Sequence, residues 1–317
     1  MNLLSEDNVE IADCRHGRMA FLRNDNIIGR SLRLYGEWAE AEIELAKVFL
    51  RPGDRVLDVG ANIGTHSIAY GLLVGESGEV ISCEPHPYMF ELLSRNTREN
   101  SPSQVKLLNT AVGASSGTLW MDLPAQEATL NFGSLQASEA LPVQEPQKMW
   151  VQKARVQVAR DCLDNLDQGP VRLLKIDVEG SEIQVLQGAS QLLTNHRPIV
   201  MAESNKTAYS WPVIQSLQSH DYVIYMHYAP SFHPGNFRGE QRNIFGPCGE
   251  ATLVAIPQEQ DREELVSAAW KATLNPIRDL DALVAAMLQK VQYREYLASA
   301  YGFDLAALET LKPRDLE

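Results

Sequence analysis

What most constrains the fold is a rhythm of short apolar runs separated by helical segments. The runs are RVLDVG (55–60), EVISCEP (79–85), VKLLN (105–109), VRLLKIDV (171–178) and PIVMAE (198–203). Helical patterns fall at 64–74, 87–100, 180–194 and 208–220. Apolar runs of this length read as strands buried on both faces, and the helices supply the crossovers that parallel strands need. The expected fold is α/β, a doubly wound, mostly parallel sheet. YVIYMHY (222–228) and ATLVAIP (251–257) bring the runs to seven, with no good helix between these two. That predicts a closing antiparallel strand at one edge.

The flanks read differently. Residues 1–50 form an N-terminal layer with a strand at 18–24 and a helix at 37–50, whose Trp38, Ala41, Leu45, Val48 and Phe49 lie near one face. Residues 51–257 carry the strand–helix rhythm as one domain, and 258–317 are a helical extension. In that extension Leu280, Leu283, Val284, Met287, Leu288 and Val291 make one stripe, read as a helix packed on the domain or as a homodimer contact. Residues 124–150 break the rhythm, and a loop so long inside a domain is a functional lid or a disordered insert. It is expected to order when ligand binds.

Charge and cysteine usage exclude several classes. The chain carries 28 basic and 41 acidic residues, a net charge of -13, with no basic run. Nucleic acid is therefore not an expected partner. The scattered Cys14, Cys83, Cys162 and Cys248 offer neither a CxxC pair nor a disulfide framework, which fits a cytoplasmic setting. The N-terminus MNLLSEDNVE lacks the marks of a signal peptide, and no apolar run is long enough to span a membrane.

The stretch RVLDVGANIGTHSIAYG (55–71) carries the chemistry. The first core strand ends in a tight turn where Gly60 and Gly64 let backbone approach a ligand, followed by the free amides of a helix start. A dinucleotide turn wants a middle glycine against the pyrophosphate, and that position is Asn62. Asp58, just before the turn, suits a cationic amino group better than a pyrophosphate. Glu84 ends the second strand, where an acid takes ribose hydroxyls. S-adenosylmethionine, which carries an amino group and a ribose, fits this pattern better than NAD.

VLDVGANIGTHS, CEPHPYMFELLSRN, NTAVG, NFGSL, LLKIDVEGSEIQVLQGA and RPIVMAE together resemble the FkbM family of methyltransferases, in order from about Tyr35 to Pro257. The resemblance implies the class I methyltransferase fold, with seven strands and the last antiparallel. It implies methyl transfer, usually to a hydroxyl oxygen. It implies that Asp58, Gly60, Ala61, Asn62, Gly64, Glu84 and Pro85 hold the cofactor, with Thr110 and Ala111 near the adenine. SFHPGNFRGEQRNIFG (231–246) resembles a bacterial subgroup associated with glycan and saccharide biosynthesis.

An alcohol is a weak nucleophile, so a base or a metal must help remove its proton. Lys175, Asp177 and Glu179 in KIDVEG, and Glu203 in MAES, sit at the carboxyl ends of strands, where ligands of open sheets bind. Asp177 is the expected base, with Glu203 or Glu179 as partner; its other reading is a cofactor contact. No metal ligand is assigned, although magnesium held by these three carboxylates is an alternative. His66 on the first helical turn is a cofactor or acceptor contact, or a packed histidine. Substrate contacts are expected from Tyr35, Glu37, Asn131, His227, Asn236 and Arg238, whose types suit a hydroxyl-rich acceptor. His86, His220 and His233 read as surface or loop residues. The leading reading is O-methylation of a saccharide, nucleotide-sugar or other small hydroxylated molecule. The alternatives are N-methylation of a small amine or modified nucleotide, and a non-catalytic binding module.

Overall fold

The computed structural model describes residues 3–100, 103–139, 152–166, 169–261, 270, 273–288 and 290–302. β1 (Val9–Cys14) and β2 (Gly17–Leu22) form an antiparallel hairpin, followed by α1 (Ile28–Tyr35) and α2 (Glu40–Phe49). The winding then begins: β3 (Arg55–Val59), α3 (Thr65–Val74), β4 (Glu79–Cys83), α4 (Pro87–Asn100) and β5 (Val105–Leu108). An excursion builds a second sheet from β6 (Ala111–Val112), β7 (Gly117–Pro124), β8 (Ala137–Ser138) and β9 (Gln152–Asp161), in the order β6-β9-β7-β8. The chain returns through α5 (Leu163–Leu166) to β10 (Leu173–Ile176), α6 (Glu182–Gln187), β11 (Ile199–Glu203), α7 (Thr207–Gln218), β12 (Tyr222–Pro230) and β13 (Gly249–Pro257). A two-residue β14 (Asn275–Pro276), α8 (Leu280–Leu288) and α9 (Val291–Tyr301) complete the described elements.

The main sheet has eight strands in the order β14-β12-β13-β11-β10-β3-β4-β5. The seven apolar runs are all in it, and β14 adds a short edge strand. β3, β4, β5, β10 and β11 are parallel, and β13 is antiparallel to both its neighbours. The expected position of the antiparallel strand needs correction. β13 lies between β11 and β12, one place or more inside the edge, because its nearly continuous apolar sequence buries both faces. The chain starts at β3, winds outward to β5, then restarts at β10 on the other side of β3. That switch opens a crevice at the carboxyl ends of β3 and β10.

Three apolar clusters hold the layers. α2 and α3 cover one face through Leu45, Phe49 and Tyr70, against Val254 and Ile256. α6 to α9 cover the other through Val185, Ile214, Leu283, Met287 and Leu297. A buried leucine or phenylalanine contributes about 1.5–3 kcal/mol by leaving water. The C-terminal stripe is thus spent inside the chain: Leu283, Val284, Met287 and Leu288 are buried against the sheet domain, so they offer no face to a second copy. The third cluster joins the hairpin, α1 and α4 to Phe132.

Two further departures have local causes. The helical pattern at 180–194 splits into α6 and a separate π-helical turn at Leu192–His196. It breaks at Gly188, where a Cβ would overlap the carbonyl of Gly113. Of the 124–150 loop, residues 125–139 are described and packed, with Phe132 only 1% exposed. Residues 140–150 lie outside the described residues. Among the described residues no helix is long and apolar enough to cross a membrane.

Asn96 links these layers. It is fully buried; its Oδ1 accepts from Ala20 N at 2.6 Å, and its Nδ2 donates to Ala20 O at 2.9 Å and Ile63 O at 2.8 Å. Asn96→Ala strands all three backbone groups and should cost about 2–4 kcal/mol. Urea denaturation checks this: the midpoint should fall with the slope unchanged, and an unmoved midpoint would contradict the bridging role.

Candidate active site

A cavity of about 370 Å³ occupies the crevice, within the size range of small-molecule sites. Its floor is the turn after β3. Gly60 (φ 81°) is left-handed, and a Cβ there would overlap the backbone oxygen of Asp177. Only glycine lets β3 and β10 close at that point. Asn62 follows, also left-handed at φ 50°. Glu84 fastens the turn: its Oε2 accepts from Asn62 N at 2.8 Å and its Oε1 from His86 N at 2.7 Å. Burial pushes the Glu84 carboxyl up to about 7, against the lowering effect of those two amides.

The apolar end of the cavity is lined by Cys83, Val112, Leu119, Met121 and Phe132, with Pro85, Thr110 and Ala111 beside them. The 131–137 segment covers it, tied down where Gln136 Nε2 donates to Glu179 O at 2.6 Å. The other end is acidic. Glu42, Asp177, Glu179, Glu203 and Glu250 all line it, with Lys175 as the ammonium among them. Lys175 Nζ lies 3.2 Å from Asp177 Oδ2 and 3.7 Å from Asp58 Oδ1. Burial opposes its charge, but the carboxylates of Asp177, Asp58 and Glu42 outweigh that and hold it above its usual value.

Crowding sets the proton affinities. Burial, then Asp177 and Glu182, push Glu179 up to about 8. Burial, then Glu42 and Asp177, do the same to Glu250, also to about 8. Glu203 is raised well above the usual carboxylate range by burial and by Asp177, Glu179 and Glu250. Glu42 goes the other way, down to about 2. Burial alone would raise it, but His66 Nε2 at 3.2 Å and the Thr252 hydroxyl, which donates to it, prevail. Carboxylate oxygens of Asp177, Glu179 and Glu203 lie within 4.8 Å of one another, a spacing that a divalent cation can bridge.

The sequence-predicted residues divide by place. Gly60, Asn62, His66, Glu84, Pro85, Thr110, Ala111, Asn131, Asp177, Glu179 and Glu203 line the cavity. Ala61 and Gly64 shape the turn without reaching the wall; Gly64 caps α3 at φ 91°. Asp58 is wholly buried one layer back, taking the Ser67 hydroxyl at 2.6 Å, with Lys175 between it and the cavity. Tyr35, Glu37, Asn236 and Arg238 lie away from the cavity because their polar groups are used in the fold. Tyr35 Oη donates to Arg242 O and accepts from Ile244 N, both at 2.9 Å. Glu37 takes Arg15, His233 and Phe237 N. Asn236 bonds the backbone of His233 and Glu240, and Arg238 donates to Asp13 O. Together they lace residues 231–246 to the N-terminal layer. His227 is buried on β12 outside the cavity wall, where burial lowers its proton affinity. His86 is a correction: it is 2% exposed, lines the cavity, and burial drives its imidazole down to about 4.

Several wall residues escaped sequence reasoning: Trp38, Glu42, Asn205, Glu250, Thr252 and Gln292. Glu42 had a signal, since it falls on the helical stripe of Trp38, Leu45 and Phe49. Glu250 and Thr252 follow from strand direction: β13 is antiparallel, so its first residues reach the carboxyl ends of the others, Thr252 pairing with Glu203.

The residues present fit S-adenosylmethionine. The glycine turn approaches closely, the buried Glu84 suits a ribose, and the apolar slot suits an adenine. Asn62 Oδ1 is buried without a hydrogen bond, ready for a donor. The acidic end is of a chemistry suited to a cationic group.

These raised acids make stability depend on pH. A carboxyl whose affinity is raised on folding keeps its proton in the folded chain while the unfolded chain loses it. Its stabilising effect is full below the unfolded value and is lost as pH rises towards the folded one. Denaturation midpoints should therefore fall between about pH 4.5 and 8. Glu250→Gln should flatten that fall; an equally steep fall in the variant would contradict the assignment.

Comparison with known proteins gives the fold a family. A sequence model of the Methyltransferase FkbM domain matches residues 58–226, more than half of the chain. The chain is 29% identical over 165 residues to Methyltransferase sdnD of Sordaria araneosa, covering 43% of this chain and 60% of that protein. It is 26% identical over 141 residues to Hexuronic acid methyltransferase AglP of Haloferax volcanii, covering 44% of this chain and 52% of that protein. The chain thus spans about half to three-fifths of the length of these relatives. A solved Methyltransferase FkbM from Methylobacillus flagellatus KT overlaps 68% of this chain and 50% of its own, at 15% identity and a TM-score of 0.41. On the extent of the domain match, the chain belongs to the FkbM methyltransferase family.

Proposed function

We propose that this protein transfers a methyl group from S-adenosylmethionine to a hydroxyl of a saccharide or other small hydroxylated molecule. The observation that carries this reading is the polarity of one cavity. A glycine turn and the buried Glu84 form one end, and carboxylates of raised proton affinity form the other. The hexuronic acid named for the Haloferax volcanii relative supports a saccharide acceptor.

When bound, S-adenosylmethionine supplies a methyl carbon activated by a sulfonium. The chain's own residues hold it and prepare the acceptor. Gly60, Asn62, Glu84, Thr110 and Ala111 hold the nucleoside, and the 131–137 cover keeps water from it. The acceptor hydroxyl lies at the acidic end, where a carboxylate takes its proton. The geometry favours Glu203 over Asp177 as that base. Asp177 is held in an ion pair by Lys175 at 3.2 Å, so its carboxylate is already engaged. Glu203 is set among other acids, and burial with those neighbours raises its proton affinity well above the usual carboxylate range. Asp177 and Lys175 then fix the local charge, and Glu179 shares the cluster's proton.

The test is transfer from labelled S-adenosylmethionine to a panel of free sugars and nucleotide sugars. Glu203→Gln should lose at least about a hundredfold in rate. The wild-type rate should rise as pH is taken above neutrality, because burial and neighbouring acids raise the proton affinity of Glu203, which must be ionised to act. Full activity in Glu203→Gln would exclude it as the base, and no transfer to any sugar of the panel would contradict the saccharide acceptor.

A further inference from the structure

We infer that α9 supplies a positioning residue, Tyr293, which orients Glu203 through Asn205. This deepens the methyl-transfer reading and rests on it. The helix lies outside the matched 58–226 segment, yet its first turn reaches the acidic end of the cavity.

The relay has two links. Tyr293 Oη donates to Asn205 Oδ1 at 3.1 Å, and Asn205 Nδ2 donates to Glu203 Oε1. Tyr293 is 6% exposed, and burial keeps its phenol protonated well past neutrality, so it is a donor at every working pH. A phenol that donates to Oδ1 leaves only the Nδ2 side of the amide to face the carboxylate. Without it the amide is free to flip and present its oxygen to Glu203, which disfavours the ionised acid.

The residue beside Tyr293 reinforces the arrangement. Gln292 lines the cavity and bonds Gly249 twice, accepting from its N at 2.9 Å and donating to its O at 2.7 Å. Glu250 follows Gly249 directly. One turn of α9 thus fixes the backbone next to Glu250 and the amide next to Glu203. A positioned carboxylate is worth more to a base than a loose one, since reaction geometry tolerates little drift.

The same helix offers a control. Tyr296 Oη shares a hydrogen bond with Thr207 Oγ1 at 2.9 Å, which docks α9 on α7 without touching the acids. The experiment is a carbon-13 titration of the glutamate side-chain carboxyls in the full chain, with Glu203 assigned by comparison with Glu203→Gln. Tyr293→Phe should raise the Glu203 midpoint by about half a unit or more. Tyr296→Phe should leave it in place. Calorimetric affinity for S-adenosylhomocysteine should stay within about twofold in both, because neither tyrosine lines the nucleoside end.

An unmoved Glu203 midpoint in Tyr293→Phe overturns the relay, and so does an equal shift in Tyr296→Phe. Retained methyl transfer by Glu203→Gln instead overturns the base assignment, whatever the titration shows. The two failures are therefore separable.

Discussion

The site is organised around one buried ammonium. Lys175 stands between Asp58 behind it and Asp177 in front, with Glu42 close enough to add to its field. Burying that charge alone would be costly, and crowding five cavity carboxylates together without it more so. The strand register makes the arrangement possible. β10 and β3 pair so that Lys175 lies opposite Asp58, and side chains two apart on a strand share a face, which brings Asp177 to the same ammonium. The glycine at 60 lets those two strands end in contact, with backbone where a side chain would not fit. Fold and chemistry meet in this pair of strands.

What surrounds the pair comes from elsewhere in the chain. The apolar end of the cavity belongs to the parallel sheet and its excursion. The acidic end is finished by Glu42 from α2, Glu250 and Thr252 from β13, and Gln292 from α9. The flanking layers are thus part of the cavity. The 231–246 segment serves it at one remove: Phe245 packs edge-on against Trp38, which lines the wall, and against Tyr35. Its polar residues are spent in holding that support in place.

The parts legible in the sequence were those set by local pattern. Continuous apolar runs gave the seven long strands, and the Gly60–Gly64 turn with Glu84 marked one end of the cavity, because backbone chirality and strand ends leave marks in a short window. The acidic end was only half legible. Asp177, Glu179 and Glu203 end strands of the expected kind, whereas Glu42 sits in a helix, where a glutamate on the apolar stripe is easily passed over. Glu250 required knowing that β13 runs backwards. The choice of Tyr35, Glu37, Asn236 and Arg238 as substrate contacts rested on residue type, and type does not say whether a polar group is already satisfied. In the fold, all four are. β1 left little mark because its burial does not alternate: Val9 and Cys14, on opposite faces, are buried, while Ile11, on the face of Val9, is 40% exposed.

The central claim is that this cavity holds S-adenosylmethionine with its cationic end among the acids. Calorimetric titration of the full chain with S-adenosylhomocysteine, with and without magnesium, tests it most directly. One-to-one binding in the micromolar range or tighter, lost in Gly60→Val, is the result expected. A change on adding magnesium would place the cation among Asp177, Glu179 and Glu203. No binding under either condition would contradict the account.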